Sequence, residues 1–159
     1  MIVYFVRHGL AANAETWQGD DADRPLTDKG RDRMARVGRR LAALDLDLDA
    51  IVTSPLLRAK QTAKIVAEAL KLTDKLVEDE RLAGGFGVPS LAGLMRDRVD
   101  AEAIMLVGHE SEMSETIGHV LGGARVELKK GAVACVEFPD PTSSNCRLLW
   151  LAPPKILTG

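Results

Sequence analysis

The sequence predicts an α/β fold: one three-layer α/β/α domain built on a mainly parallel sheet, with antiparallel strands near its carboxyl end. Three observations support this. Apolar, β-branched runs alternate with amphipathic segments, which is the order of a parallel sheet covered by helices on both faces. The early strand candidates are continuously apolar, as in strands buried on both faces. The last strand candidates are joined by short connections, which favours antiparallel pairing.

The length and composition fit this fold. The chain has 159 residues, of which 46% are hydrophobic and 28% charged. That length suits one domain. We expect its core to span about residues 1–152 and the segment 153–159 to be a frayed tail.

The first elements are a strand and a long helix. Residues 2–6 form an apolar run that is rich in β-branched and aromatic side chains. Thr27 is predicted to be the N-cap of the helix. The apolar residues of this helix recur at three- and four-residue steps, at Met34, Val37, Leu41 and Leu44.

The second strand and helix follow directly. Residues 50–53 are short and β-branched. Ser54 and Pro55 are predicted to be the N-cap and first residue of a helix that continues to about Leu70. A brief strand is expected at 75–77.

The middle of the chain contains a glycine-rich loop and one more strand–helix pair. Residues 81–89 hold three glycines and a proline, which indicate a loop, and a short helix is expected at 91–98. Residues 103–107 form another buried strand. Ser111 is predicted to cap the next helix, which ends at the glycine pair 122–123.

The carboxyl-terminal part is predicted to be β-rich. Its strand candidates lie at 126–128, 132–138 and 146–151. The last two form a hairpin that turns near Thr142. In that register Cys135 faces a residue near Leu149 rather than Cys146, so no disulfide is expected.

Charge and hydropathy exclude several classes of protein. Lys and Arg total 21 against 23 Asp and Glu, a net charge of −2. A nucleic-acid binder would normally present a basic field, so this class is not expected. The apolar residues 1–6 are too short for a secretory signal, and no run approaches the ~20 residues of a membrane span. We expect a cytoplasmic protein and a monomer.

The chemically active residues lie at predicted strand ends and at a helix start. Arg7 and His8 end the first strand, His109 ends the strand at 103–107, and Arg58 lies in a first helical turn. Taken singly, a strand-end histidine is often satisfied by backbone, and Arg58 or Arg24 could form a surface ion pair. Ligands of such sheets bind at the carboxyl ends of the strands. Together the residues suit a phosphoryl group: arginine forks bind its oxygens, one imidazole attacks phosphorus, and the other stabilises charge.

Four motifs carry a resemblance to a known family. They are Arg7-His8-Gly9, Arg24-Pro-Leu-Thr27, Ser54-Pro-Leu-Leu-Arg58-Ala-Lys-Gln-Thr62 and Val107-Gly-His109. In order and spacing they resemble the histidine phosphatase superfamily, with its phosphoglycerate-mutase-like fold, and most closely its SixA-type phosphohistidine phosphatases.

The resemblance implies a role for each matching residue. It implies that His8 becomes phosphorylated, that Arg7, Arg58, Arg24 and Gly9 bind the phosphate, and that His109 faces it. It implies no metal or organic cofactor. The histidine spacing agrees, because His8, His109 and His119 form no short ligand motif.

Two departures from the family pattern bear on the substrate. Larger members carry an asparagine where this chain has Ala14, and Asn13 lies one position away. Phosphomonoesterases of the superfamily use a glutamate general acid, for which Glu80 is the candidate, although Glu78 and Asp79 compete. A phosphohistidine substrate needs such an acid less, because imidazolium has a pKa of about 6.5.

These considerations lead to one leading interpretation and two alternatives. The leading one is a phosphohistidine phosphatase acting on a phosphoprotein in signal transduction. The short segment before residue 103 supports it, because a larger cap would be needed to enclose a small substrate. The alternatives are a phosphatase of small phosphomonoesters and a non-catalytic module that binds phosphate or a phosphoprotein.

Overall fold

The structure, a computed structural model, describes residues 1–141 and 145–159. Its strands are β1 (Ile2–Arg7), β2 (Ala50–Thr53), β3 (Leu76–Glu78), β4 (Ala103–Gly108), β5 (Val133–Glu137) and β6 (Arg147–Ala152). Its α-helices are α1 (Asp28–Ala42), α2 (Leu57–Leu70), α3 (Val88–Arg96), α4 (Glu112–Val120) and α5 (Pro154–Thr158).

The strands form one sheet in the order β3-β2-β4-β1-β5-β6. β3, β2, β4 and β1 pair in parallel, whereas β5 is antiparallel to both β1 and β6. The predicted sheet, mainly parallel with antiparallel pairing at its carboxyl-terminal strands, is confirmed.

The two faces of the sheet are covered by different helices. Side chains alternate along β1, so Val3 and Phe5 join one apolar cluster and Val6 joins the other. The first cluster includes residues of α3 and α4, and the second includes residues of α1, α2 and α5. This is the predicted arrangement of three layers.

The register of the sheet aligns the ends of its central strands. Arg7, the last residue of β1, pairs with Gly108 of β4. Thr53, the last residue of β2, pairs with Val107. His8, Ser54 and His109 therefore leave the sheet at the same edge, next to one another.

Helix starts are partly as predicted. Thr27 caps α1, since its hydroxyl accepts a hydrogen bond from the Gly30 N–H at 2.9 Å. Ser54 is wrong as the cap of α2, because that helix begins at Leu57. Ser111 occupies the N-cap position of α4 but makes no side-chain capping bond.

Three segments differ from their predicted structure. Residues 126–128 are not a strand, because the Leu128 N–H and carbonyl bond to the side chains of Ser114 and Arg7 instead of to a neighbouring strand. The expected loop at 81–89 is shorter, with a 3₁₀ turn at Glu80–Leu82 and α3 starting at Val88. The expected frayed tail contains α5, whose Pro154 and Leu157 are buried.

The carboxyl-terminal hairpin has a shifted register. Cys135 pairs with Trp150, because the pairing slips between Cys135 and Val136. Within the described residues neither Cys135 nor Cys146 is in a disulfide. The turn predicted near Thr142 lies outside the described residues.

The described helices include none with the length and apolar character required to cross a membrane.

Candidate active site

A cavity of about 500 Å³ opens at the carboxyl edge of the sheet. Arg7, His8, Arg24, Arg58 and His109 all line it. The structure thus brings together five residues from four segments that are far apart in the sequence. The remaining lining residues are Leu10, Ala11, Ala12, Asn13, Ala14, Glu15, Glu110 and Lys130.

His8 is buried, and its ring is held in one tautomer. Its Nδ1 lies 2.7 Å from the carbonyl oxygen of Gly9. A carbonyl oxygen only accepts hydrogen bonds, so Nδ1 carries the proton. The lone pair of the neutral ring is therefore on Nε2, which is the atom available to attack phosphorus.

Both backbone polar groups of Gly9, expected to contact phosphate, have hydrogen-bond partners within the protein. Its N–H donates to the Thr62 hydroxyl at 3.0 Å, and its carbonyl accepts from His8. A side chain at this position would also meet the Met34 Cγ, which lies 2.6 Å from where a Cβ would stand. Gly9 instead orients the His8 ring and lets α1 pack closely behind it.

His109 faces His8 across the cavity. The ring centroids are 5.3 Å apart, with an angle of 53° between the planes. The Nε2 of His109 lies 2.8 Å from the Ser54 hydroxyl oxygen. That oxygen already accepts from the Leu56 N–H at 3.2 Å. This favours the Ser54 hydroxyl as donor to Nε2, which leaves the proton of the ring on Nδ1.

Both imidazoles are neutral at physiological pH. Burial, which is the largest cause, and the nearby charges of Arg58 and Arg7 together lower the pKa of His8 to about 3. Burial and the Arg58 charge lower the pKa of His109 to about 4. A neutral His8 keeps the lone pair that a nucleophile needs.

Two of the arginines are joined by a carboxylate. Asp21, in the loop before α1, accepts from Arg58 Nη2 and from Arg24 Nε, each at 3.0 Å. Arg58 Nη1 also donates to the Asp21 carbonyl at 2.9 Å. Hydrogen bonding from Arg24 lowers the pKa of Asp21, so the carboxylate stays ionised. Asp21 therefore holds two like-charged guanidinium groups side by side.

Three polar atoms of the site are buried without a partner. Across residues 1–141 and 145–159, these are Arg7 Nε, Arg58 Nε and His109 Nδ1. Buried N–H groups are normally hydrogen-bonded, because an unpaired one costs about 1–3 kcal/mol. All three belong to residues around His8, and a tetrahedral oxyanion would supply acceptors for such donors.

Glu80 is not brought to this site. It is exposed in the 3₁₀ turn at the end of β3, and it does not line the cavity. Two other glutamates do, Glu15 and Glu110. The oxygens of Glu110 accept from the Ser114 N–H and hydroxyl, at 3.1 and 2.5 Å.

Sequence reasoning missed three residues that shape the site: Ser54, Thr62 and Asp21. Ser54 and Thr62 lie inside a recognised motif, and their polarity beside Arg58 was the available signal. Asp21 stands in a loop with two similar aspartates, Asp20 and Asp23, so nothing in the sequence distinguished it. The structure describes no group of three or more His, Cys, Asp or Glu residues placed to hold a metal ion.

Comparison with known proteins shows which family the chain is similar to. The profile of the histidine phosphatase superfamily (branch 1) matches residues 3–101. An uncharacterized protein of Picosynechococcus sp. is 40% identical over 138 residues, covering 84% of this chain and 82% of that protein. GpmB of Salmonella choleraesuis, named as a probable phosphoglycerate mutase, is 44% identical over 68 residues, which cover 42% of this chain and 31% of GpmB.

The fold is shared with a solved phosphatase. The structure of the protein histidine phosphatase SixA complexed with tungstate superposes with a TM-score of 0.86 and 23% identity, covering 98% of each chain. The predicted phosphoglycerate-mutase-like fold is thereby confirmed.

Proposed function

The chain belongs to the histidine phosphatase superfamily, and from that premise we propose that it is a phosphatase with His8 as the covalent nucleophile. One observation carries the proposal. The His8 imidazole is buried and neutral, and the Gly9 carbonyl fixes its proton on Nδ1. Around it lie three buried nitrogen atoms that have no hydrogen-bond partner in the protein. Those atoms belong to Arg7, Arg58 and His109.

The reaction takes place in two displacements. In the first, Nε2 of His8 forms a bond to phosphorus while the bond from phosphorus to the leaving group breaks. The guanidinium groups of Arg7 and Arg58 and the Nδ1–H of His109 stabilise the charge that develops on the phosphoryl oxygens. In the second, water attacks phosphorus, the P–N bond breaks, and inorganic phosphate leaves with His8 restored.

The leaving group favoured by the site is an imidazole. An alkoxide must be protonated as it departs, since water, its model, has a pKa of about 15.7. The imidazole of a phosphohistidine leaves far more readily, because its conjugate acid has a pKa of about 6.5. Glu80 lies outside the cavity, and Glu110 is engaged by Ser114. A phosphohistidine substrate therefore suits this site better than a phosphomonoester, because its leaving group does not need a general acid.

The shape of the site favours a protein substrate. The lining residues come from the edge of the sheet, from the loops after β1 and before β5, and from Arg24 and Arg58. Residues 79–102, where a cap would be inserted, contribute none of them. A phosphohistidine on a protein surface can enter such a cleft. The likeness to SixA supports the same substrate class.

The alternative substrate is a small phosphomonoester. Glu15 lines the cavity and is exposed, so it could protonate an alkoxide, and part of the chain is similar to GpmB. If this alternative holds, turnover of small esters should be high and should fall by orders of magnitude in Glu15→Gln. Phosphohistidine turnover should remain unchanged in that variant if the leading proposal holds.

The covalent intermediate provides the decisive test. The protein is incubated with a phosphoryl donor and quenched, and the labelled residue is located by mass spectrometry. A phosphoenzyme on His8 should be stable to alkali and labile to acid, and it should be absent in His8→Ala. The value of kcat/KM is then compared across phosphohistidine proteins and small phosphoesters. A protein that binds phosphate but never forms this intermediate is a binding module, and the proposal is wrong.

A further inference from the structure

A strongly cationic cavity of about 640 Å³ adjoins the candidate active site. We call it the cationic groove. Its charged lining consists of Arg7, Arg33, Arg36, Lys129, Lys130, Lys155 and the single carboxylate Glu127. This concentration of positive charge is notable because the whole chain has a net charge of −2.

The charges of the groove are largely uncompensated. Glu127 pairs with Lys129. Besides Arg7 and Lys129, four other basic side chains line the groove: Arg33, Arg36, Lys130 and Lys155. None of these four forms an ion pair with any residue that the structure describes. A concave cluster of like charges produces a field that attracts anions.

The fold fixes the groove beside the phosphate site. Arg7 and Lys130 line both cavities. The Gly131 N–H donates to the carbonyl oxygens of Arg7 and His8, each at 3.1 Å, which holds the Lys129-Lys130 turn at the end of β1. Pro154 lies close to Gly131 in the same turn, so α5 brings Lys155 into the lining of the groove.

We propose that the cationic groove docks an acidic surface of the substrate protein, next to the phosphohistidine that enters the active site. This inference rests on the proposed function and specifies which phosphoproteins the enzyme selects. The side chains of Arg36, Lys129, Lys130 and Lys155 are exposed and long. Such flexible cations suit several weak contacts with a carboxylate-rich surface, whereas one tightly held phosphate calls for buried guanidinium forks.

The test uses two peptides that differ only in charge. Each carries one phosphohistidine; in one it is flanked on both sides by aspartates, and in the other by asparagines. At low salt the wild-type enzyme should have a kcat/KM about tenfold or more higher for the acidic peptide, because steering by charge raises association rates by roughly 10 to 10³. At 1 M salt, where the Debye length is about 3 Å, the preference should vanish.

Two double variants distinguish the groove from overall charge. Arg36→Glu with Lys155→Glu reverses two groove cations that lie outside the phosphate site. Arg39→Glu with Arg40→Glu reverses two exposed cations further along α1. Each pair changes the charge by two units at two positions, so both take the protein from −2 to −6. The groove pair should lose the preference for the acidic peptide, and the control pair should keep it; thermal melting checks that both variants fold.

The outcomes separate the two proposals. Equal rates on the two peptides, or equal effects of the two double variants, would overturn the docking assignment and leave the phosphatase intact. No hydrolysis of either peptide would overturn the proposed function, and the docking assignment with it. Tight binding of a single-stranded RNA that is lost only in the groove pair would show that the groove serves nucleic acid, and the assignment to an acidic protein would be wrong.

Discussion

The substitution Ser54→Ala removes the hydroxyl group that is hydrogen-bonded to His109, and so tests what that hydrogen bond contributes. Ser54 is fully buried, and its oxygen lies 2.8 Å from the His109 Nε2. The same oxygen accepts from the Leu56 N–H at 3.2 Å, which favours the hydroxyl as the donor to the ring. The substitution leaves Nε2 without its partner in a buried site. It also frees the ring to carry its proton on Nε2 instead of Nδ1.

The size of the effect follows from the cost of an unpaired buried group. That cost is about 1–3 kcal/mol. At 1.4 kcal/mol per factor of ten, it corresponds to roughly a 5- to 140-fold loss. If the hydroxyl fixes the tautomer that donates to the phosphoryl oxygens, the loss should appear in kcat/KM and in the rate of His8 phosphorylation. Substrate binding before chemistry should change little.

The assay is quenched-flow measurement of phosphoenzyme formation, with thermal melting alongside. Thr53→Val is the matched control, because it removes a neighbouring buried hydroxyl that donates to the Ser54 carbonyl at 3.1 Å rather than to the ring. Both variants should melt at a lower temperature, but only Ser54→Ala should slow phosphorylation. Wild-type phosphorylation rates in Ser54→Ala, with the melting temperature lowered as in the control, would refute the assignment of Nδ1–H as the donor.

The remaining predictions concern the nucleophile, the phosphate ligands and pH. His8→Ala should reduce turnover to background; substantial residual turnover would remove His8 from its role. Arg58→Lys should lower kcat/KM by about 10²-fold or more, because an ammonium cannot reproduce the planar fork, and a loss of only a few-fold would contradict this. Tungstate or vanadate should inhibit competitively, and EDTA should leave activity unchanged; inhibition by EDTA would indicate a metal. The pKa values of His8 and His109 are lowered from 6.5 to about 3 and about 4, so kcat/KM should hold steady down to about pH 5 and fall below it. Between about pH 4 and 6.5 these two histidines bind protons only when unfolded, so the free energy of unfolding should decrease as pH falls through that range.

The fold could be predicted because its signals are local. The apolar run at residues 2–6 and the helical spacing after Thr27 each follow from a short window of sequence. Residues 126–128 could not be predicted in the same way. The alternation of apolar Val126 and Leu128 with Glu127 suits a strand, but the Leu128 carbonyl accepts from Arg7 and its N–H donates to Ser114. Those partners are distant in sequence, so local propensity gave no indication of them.

The placement of the site residues depended on the register of the sheet. Two histidines at strand ends can meet only if their strands are neighbours and end together. The pairing of Arg7 with Gly108 satisfies both conditions, and no local pattern specifies that pairing. At Gly9, a contact with a residue distant in sequence changed the expected role. The family resemblance implied a phosphate contact for this residue, but its N–H donates to the Thr62 hydroxyl, one turn beyond Arg58 in α2.

The electrostatics of the site combine two demands that usually conflict. A phosphate site needs cations, and a histidine nucleophile must keep its lone pair. Here the same arginines serve both demands, because their charge opposes protonation of His8 and His109 while it attracts the phosphoryl group. Asp21 moderates the repulsion between Arg24 and Arg58 from the exposed side, with 59% of its side chain accessible to solvent. The neutral imidazoles and the charged guanidinium groups are therefore parts of one arrangement, in which removing an arginine weakens phosphate binding and also raises the pKa of the nucleophile.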